Sequence, residues 1–195
     1  MKNLNPSAVP DGHFAAHIGW NSSWNDYFQE YQSAVESLWN TICQWPGSPD
    51  RNPLPLLFLV RHTIELGYKW NLSELCSVLK KRQLEPTHKL AKLHVELGKA
   101  FDEFIAKGWA SAGVKKEVKQ HYKDASPFKD WLHRIDESNE AFRYPRKRKG
   151  GQRHFGRLEE INLLTDVMEP YQGILVLLNH TCDMLGLEEF KRHIQ

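Results

Sequence analysis

An apolar segment from Pro53 to Trp70 carries four polar side chains whose types and spacing could support chemistry. Arg61, Glu65 and Lys69 follow one another at intervals of four residues, and His62 lies three residues before the glutamate. In a helix, these four side chains share a sector of roughly 100°. Because a buried charge is costly unless it is paired, the pattern predicts a polar stripe on a core helix whose charges compensate one another.

The simplest interpretation of this stripe is structural. Glu65 is expected to form a buried network with Arg61, Lys69 or Arg143, and Tyr144 is expected to pack over it. We favour this role for Glu65 and Lys69. The sequence therefore predicts that the region around Tyr144 is tied to the helix that contains Glu65.

A second unusual stretch, the basic segment, runs from Arg143 to Arg157 and contains seven Lys or Arg residues and no acidic residue. The whole chain has a formal net charge of only +2, so the positive potential is local. Phosphate contacts release counterions, and an aromatic ring can stack on an exposed base, so the segment suits a polyanion. A solvated surface loop is the alternative. The residues expected to contact RNA are Tyr144, Arg146, Lys147, Lys149 and Arg153.

Bulk properties fit one soluble domain, with 195 residues, 41% hydrophobic residues and 26% charged residues. Three cysteines without a CxxC pair argue against a disulfide framework or a thiolate zinc site and favour a reducing cytoplasm. The N-terminal residues lack the apolar core of a signal peptide, and no apolar run is long enough to cross a bilayer, so no membrane partner is expected. His13 and His17 have no further ligand nearby, and neither a metal nor another cofactor is expected.

Strand signals are almost absent, and the pattern predicts an all-α bundle of five or six helices. These helices are expected to pack around a core face formed by Leu56, Leu57, Val60 and Ile64. Residues 1–20 are expected to form an irregular arm and residues 21–195 a single helical domain. Gly150 and Gly151 could close a short β-hairpin or lie in a flexible loop. The first predicted helix has Asn21 or Ser22 as its N-cap and ends near Gln44. The second runs from Pro53 to Trp70 with a continuation beyond Asn71, and the third has Thr87 as its N-cap and ends at Gly108. The fourth runs from Val114 to Tyr122, a new helix starts at Ser126-Pro127, and the last runs from Leu158 to Leu185 with a kink or break at Pro170.

Three short motifs, two on these helices and one in the segment before the last helix, resemble those of the HEPN superfamily. They are an RHxxELxxK pattern from Arg61 to Lys69, a His-x-Leu-x-x-Leu pattern that begins at His88, and FRYP from Phe142 to Pro145. The resemblance covers roughly residues 53–185. It implies an α-helical bundle that usually dimerises and that in many members is a metal-independent endoribonuclease of toxin–antitoxin systems or phage defence.

The resemblance also implies a catalytic pair, an Arg followed by a His after four to six residues. Cleavage by a ribose 2′-OH needs a group of near-neutral pKa to move protons and a fixed cation to stabilise the phosphorane. Arg143 occupies the expected place of the Arg, but the next histidine, His154, follows after ten intervening residues. The required spacing occurs instead in Arg82 with His88 and in Arg148 with His154.

Two hypotheses follow. The first is a HEPN-like, dimeric cytoplasmic protein that acts on RNA as an endoribonuclease, with no cofactor. The second is a non-catalytic HEPN-like module whose basic segment binds a partner protein, such as an antitoxin, or a nucleic acid. For His62, both a proton-transfer role and a satisfied core histidine stay open. The candidate catalytic residues are Arg143, Arg148, His154 and His62.

Overall fold

A computed structural model describes residues 23–45, 50, 52–81, 87–136, 140–147, 150–151, 153–155 and 160–187. Within these ranges the chain forms five α-helices and one π-helical segment, and no β-strand, so the predicted all-α bundle is confirmed. The predicted N-terminal arm lies outside the described residues. The elements are α1 (Trp24–Gln44), α2 (Pro53–Val78), α3 (Leu90–Ala106), α4 (Ala112–Ile135), the π-helical segment (Leu163–Met168) and α5 (Glu169–Met184).

Helix α2 lies at the centre of the bundle and contacts α1, α3 and α5. Its first residue is Pro53, which suits the first turn because proline has no N–H to satisfy there. The predicted core face of α2 is confirmed, since Leu56, Leu57, Val60 and Ile64 are all buried. The helix is buried on most of its circumference, so its buried polar residues, Arg61, Thr63, Glu65 and Asn71, must find partners inside the protein.

Helix α1 begins one or two residues later than the sequence indicates, with Ser23 as its N-cap. The Ser23 hydroxyl accepts a hydrogen bond from the Asp26 N–H, and the Asp26 carboxylate accepts one from the Ser23 N–H. Its buried stripe is centred on Phe28, Val35 and Ile42. The spacing of large apolar residues in the sequence also predicts Tyr27 on this face, and that prediction is wrong because Tyr27 is exposed.

Gly67 sets the distance between the three helices around the core. A Cβ atom at this position would lie 2.7 Å from Cδ1 of Leu178 on α5 and 2.9 Å from Cε2 of Phe28 on α1. Any residue larger than glycine at position 67 would therefore clash with both side chains unless they moved. Nearby, the Asn71 side-chain amide donates to the carbonyl oxygens of Gly67 and Leu178, both at 2.9 Å, and so joins α2 to α5 through a buried polar contact.

The predicted break at Ser126-Pro127 is wrong, because α4 is continuous through Pro127. Proline cannot donate to the carbonyl four residues earlier, which here belongs to Lys123. Both Lys123 and Pro127 lie on the exposed side of α4, so water can hydrate the carbonyl that loses its helical partner. Packing of the buried side, at Ala125, Phe128 and Leu132, holds the two halves in line.

The start predicted at Leu158 for the last helix is not observed. Residues 156–159 lie outside the described part of the chain, Ile161 is non-helical, and Asn162 caps the π-helical segment by accepting from the N–H groups of Leu164 and Thr165. Pro170 then falls in the first turn of α5. The proline therefore marks the boundary at which wider π-type turns give way to an α-helix.

The beginning of α3 also differs in detail. Lys89, not Thr87, is the N-cap residue, and the Thr87 hydroxyl accepts from the Lys89 N–H just outside the helix. Gly108 follows the C-terminus with a φ of +74°, which suits a glycine after a helix end, as predicted.

Buried His94 joins three helices through both of its ring nitrogens. The Ser126 hydroxyl donates to the Tyr122 carbonyl (3.3 Å), so its oxygen accepts from His94 Nε2–H (2.9 Å). Nδ1 is then the acceptor for the Tyr68 hydroxyl at 2.8 Å. The imidazole also stacks on the Tyr122 ring, with ring centroids 4.0 Å apart. This arrangement fixes a neutral imidazole between α2, α3 and α4.

Burial, and secondarily the charge of Lys129, lower the pKa of His94 to about 4. Neutral His94 therefore contributes its full stability above pH 6.5, its ordinary pKa, and this contribution is lost as the pH falls from about 6.5 to about 4. The loss is on the order of 3 kcal/mol. We expect the free energy of unfolding to fall over this window in urea titrations, and to fall less steeply in His94→Gln. Parallel curves for the two proteins would contradict the assignment.

Candidate functional site

The carboxylate of Glu65 is the centre of the polar stripe on α2 and is fully buried. Its Oε1 accepts hydrogen bonds from Lys69 Nζ at 2.7 Å and from His88 Nδ1 at 2.8 Å. Its Oε2 accepts from Arg61 Nη1 at 3.3 Å. The pairing of Glu65 with Arg61 and Lys69 that the sequence predicts is therefore present. Burial alone would raise the pKa of Glu65, but the bonds from Lys69 and His88 outweigh it and lower the pKa.

Arg61 extends the same network away from Glu65. Its guanidinium is fully buried, donates from Nη2 to the His88 carbonyl at 3.0 Å, and forms an ion pair from Nε to Asp136 Oδ2 at 3.4 Å. Burial lowers the pKa of Arg61, against the opposing charges of Asp136 and Glu65. Two carboxylates thus face one buried guanidinium, which is the kind of compensation that a buried charge requires.

Asp136 connects this network to the start of the FRYP motif. Its Oδ1 accepts from the backbone N–H groups of Glu140 and Ala141, at 2.7 and 2.9 Å. The next two residues after Glu140 are buried, whereas Arg143 is exposed. The chain therefore leaves α4, is held by one carboxylate, and emerges at the surface where the basic segment begins.

The basic segment folds back on itself beyond this anchor. The rings of Phe142 and Phe155 are stacked with centroids 6.3 Å apart, and the His154 N–H donates to the Pro145 carbonyl at 3.4 Å. Between them, Arg146 and Arg153 form an isolated antiparallel β-bridge. This bridge is a minimal version of the hairpin that the sequence left open.

Two glycines with positive φ lie between the bridged residues Arg146 and Arg153. Gly150 and Gly151 have φ values of +88° and +64°, a conformation that other residues rarely adopt. Arg146 Nη1 donates to the Gly151 carbonyl at 3.0 Å. The bridge places Arg146 and Arg153 directly opposite each other, and because both are exposed, their side chains lie on the same face at the surface.

A row of planar side chains connects the basic segment to α2 and α1. The Arg143 guanidinium lies over the Tyr144 ring at 5.3 Å and over the Phe58 ring at 5.9 Å. Phe58 is stacked on His62 with centroids 5.7 Å apart, and His62 meets Tyr31 edge-on at 4.5 Å. We call Tyr144, Arg143, Phe58, His62 and Tyr31 the aromatic row.

The position of His62 in this row affects its proton affinity. The ring is partly buried, and burial lowers the pKa of His62. The charges of Lys69 and Arg61 act in the same direction, and that of Glu65 opposes them. His62 is therefore neutral at pH 7 and has the protonation state of a general base.

The other predicted site residues divide by position. Arg146, Lys147 and Arg153 are exposed, and Lys147 lies at the surface as expected. His154 is partly buried, and its Nε2 is buried with no hydrogen-bond partner among the described residues. Arg148, Lys149 and Arg82 lie outside the described residues. The two pairs with the expected Arg-to-His spacing, Arg82 with His88 and Arg148 with His154, therefore each have their arginine outside the described part of the chain.

Sequence reasoning missed two members of the network, Asp136 and His88. Asp136 follows the last residue of α4 and precedes Glu140 by four residues, a spacing at which a carboxylate can accept from the next turn of backbone. Because His88 directly follows Thr87, the predicted N-cap of the third helix, the sequence favours a local structural role for it. Its Nδ1 instead crosses to Glu65, although 65% of its side chain stays exposed.

The described residues contain no group of three His, Cys, Asp or Glu side chains placed to hold a metal ion. Across the same ranges, no helix combines the length and the apolar character that a membrane span requires. No protein-family model matches the chain, and neither the curated proteins nor the solved structures contain a match to it.

Glu65→Gln tests the compensation at the centre of the site. The change keeps the side chain's shape but leaves Arg61 without one of its carboxylates, and breaking a buried ion pair costs about 3–5 kcal/mol. We expect a loss of that order in the free energy of unfolding at pH 7, measured with urea. Glu117→Gln is the matched control, because Glu117 is exposed and faces His121 at 3.9 Å. Equal effects of the two changes would show that the Glu65 network does not stabilise the fold.

Proposed function

We propose that this chain is a HEPN-like protein that binds RNA through its basic segment and cleaves it without a metal. The observation that carries the proposal is the bridge between Arg146 and Arg153. Like charges placed directly opposite each other across an antiparallel bridge repel, and a bound phosphate between them relieves that repulsion. Arg143 and Lys147, close to Arg146 in the sequence, are also exposed and add positive charge to this surface.

The anchoring of the segment also supports this proposal. Asp136, the Phe142 and Phe155 ring pair, and the bond from His154 to Pro145 hold the segment at its base. Cations held in a fixed arrangement lose less conformational freedom on binding than cations on an unanchored loop. The resemblance to the HEPN superfamily supplies the choice of RNA and the setting of toxin–antitoxin or phage-defence systems, and the homodimer and the antitoxin partner stay predictions.

For cleavage, the aromatic row favours His62 as the proton-transfer group and Arg143 as the cation. Phe58 brings the Arg143 guanidinium and the His62 imidazole to the same region, although they are far apart in the sequence. In this role, neutral His62 removes the proton from a ribose 2′-OH. Arg143 then stabilises the phosphorane that forms when this oxygen attacks the neighbouring phosphate. Collapse of the phosphorane breaks the bond from phosphorus to the 5′-oxygen of the next nucleotide. It leaves a 2′,3′-cyclic phosphate, and the departing 5′-oxygen takes a proton from solvent.

The non-catalytic interaction module is the second candidate function, and one observation favours it. The Nε2 atom of His154, the nearest histidine after Arg143 in the sequence, is buried and not in contact with solvent. A group that moves protons must reach its substrate. In this alternative the basic segment binds RNA or a protein partner without chemistry.

Salt dependence tests RNA binding. For a single strand, log K falls by about 0.7 for each phosphate contact per decade of salt concentration, so neutralising three contacts should reduce the slope by about 2. We expect this for Arg146→Ala/Lys147→Ala/Arg153→Ala, measured by fluorescence anisotropy on a single-stranded RNA. The control Lys92→Ala/Lys115→Ala/Lys116→Ala removes three exposed charges elsewhere and should change the slope little. Equal slopes for the two triple variants would contradict the proposed interface.

His62→Gln tests catalysis in an assay with purified protein, total RNA and EDTA. We expect loss of cleavage with affinity nearly unchanged, because proton transfer contributes in the transition state. The lowered pKa of His62 places the acidic limb of the rate profile below pH 6.5. A single strand with 2′-deoxyribose in place of ribose should bind but stay intact, because it lacks the attacking 2′-OH.

His154→Gln in the same assay separates the two histidines. Cleavage that survives in His62→Gln and disappears in His154→Gln would return the catalytic role to His154. Wild-type protein that binds RNA but never cuts it would support the interaction module.

A further inference from the structure

The aromatic row ends at a ring that is unusually open to solvent. Tyr144 is 44% exposed, although it carries the Arg143 guanidinium against its ring. The opposite end of the row, at Tyr31, is packed against α2. The row is therefore closed on the side of the bundle and open on the side of the basic segment.

The backbone around Tyr144 is held by more contacts than the backbone of a tyrosine on an exposed loop usually is. The backbone N–H groups of Arg143 and Tyr144 donate to the Glu140 carbonyl at 3.1 and 2.9 Å, and the Glu140 N–H donates to Asp136. Phe58, on the rigid helix α2, lies against the Arg143 guanidinium. The backbone at Tyr144 is thus held from the core, and its ring lies against a guanidinium that Phe58 also contacts.

We infer that Tyr144 is a stacking platform for an unpaired nucleobase, and that the substrate class of this site is single-stranded RNA. This inference rests on the proposed function and adds to it. The base continues the row beyond Tyr144, while N–H groups at the edge of the Arg143 guanidinium bind the neighbouring phosphate. A guanidinium that lies over aromatic rings can still donate from its edge, because stacking uses its faces.

The same geometry argues against a double helix as the preferred ligand. In an A-form duplex the bases are already stacked on one another, and the major groove is too deep and narrow for a tyrosine to reach them. A single strand presents its bases without that penalty. Phosphate contacts by Arg146, Lys147 and Arg153 are compatible with either form, so the preference depends on Tyr144.

Binding of three ligands of equal length to full-length protein tests the inference. The ligands are an octamer of uridine, an octamer of abasic tetrahydrofuran spacers that keeps the phosphates, and an eight-base-pair RNA duplex. Loss of base–aromatic stacking typically weakens single-strand binding by about ten-fold. We expect Tyr144→Leu to bind the uridine octamer about ten-fold more weakly than the wild-type protein, and Tyr144→Phe to bind it with nearly wild-type affinity because the ring remains.

The abasic octamer separates stacking from an indirect effect on Arg143. If the ring acts by stacking on a base, Tyr144→Leu and the wild-type protein should bind the abasic strand equally. Trp45→Leu is the control, because Trp45 is 62% exposed and lies about 20 Å further along α1 than Tyr31. Its affinity for the uridine octamer should be unchanged.

Each remaining outcome counts against a stated part of the argument. If the wild-type protein binds the uridine octamer and Tyr144→Leu binds it equally well, RNA binding stands and the stacking platform is overturned. If Tyr144→Leu weakens binding to the abasic strand just as much, or if the wild-type protein prefers the duplex, the inference is also overturned. If the wild-type protein binds none of the three ligands at low salt, the proposed function fails, and the inference fails with it.

Discussion

The carboxylate of Glu65 has no access to water, and a buried anion is tolerated only when hydrogen bonds and opposite charges replace its hydration. Lys69, His88 and Arg61 provide this replacement from two helical turns and from the segment that leads into α3. Arg61 is itself buried and requires a second carboxylate, which Asp136 provides from the end of α4. One buried charge on α2 therefore determines how two other parts of the chain, the segment before α3 and the end of α4, must be arranged around it.

The basic segment depends on this arrangement. Asp136 both faces Arg61 and accepts from two backbone N–H groups, so the carboxylate that neutralises the core also fixes where the chain reaches the surface. From that point the polypeptide presents cations and the Tyr144 ring, and the turn at Gly150 and Gly151 closes the segment. The proposed RNA surface is thus held by a network that lies inside the bundle.

His94 and His62 lie on neighbouring helices, and their different surroundings give the first a structural role and leave the second available for chemistry. His94 uses both ring nitrogens, one toward Tyr68 and the other toward Ser126, and its pKa falls to about 4, so it joins helices and has no ring nitrogen left to exchange protons with a ligand. His62 also has a lowered pKa, but it is packed between the rings of Tyr31 and Phe58 and is only partly buried. Of the two, His62 is the one that the proposed reaction can use.

Local patterns in the sequence were sufficient for the helical class, for the core face of α2 and for the pairing of Glu65 with Arg61, because residues four apart on a helix meet whatever surrounds them. They did not predict that α4 continues through Pro127, because this depends on Lys123 and Pro127 lying on the exposed side of the helix. They also did not predict the role of Gly67, because the side chains that leave no room for a Cβ atom there, Leu178 and Phe28, lie on other helices. The contacts of Asp136 with Arg61 and of Phe58 with Arg143 join residues distant in the chain, so only the packed tertiary structure could bring them together.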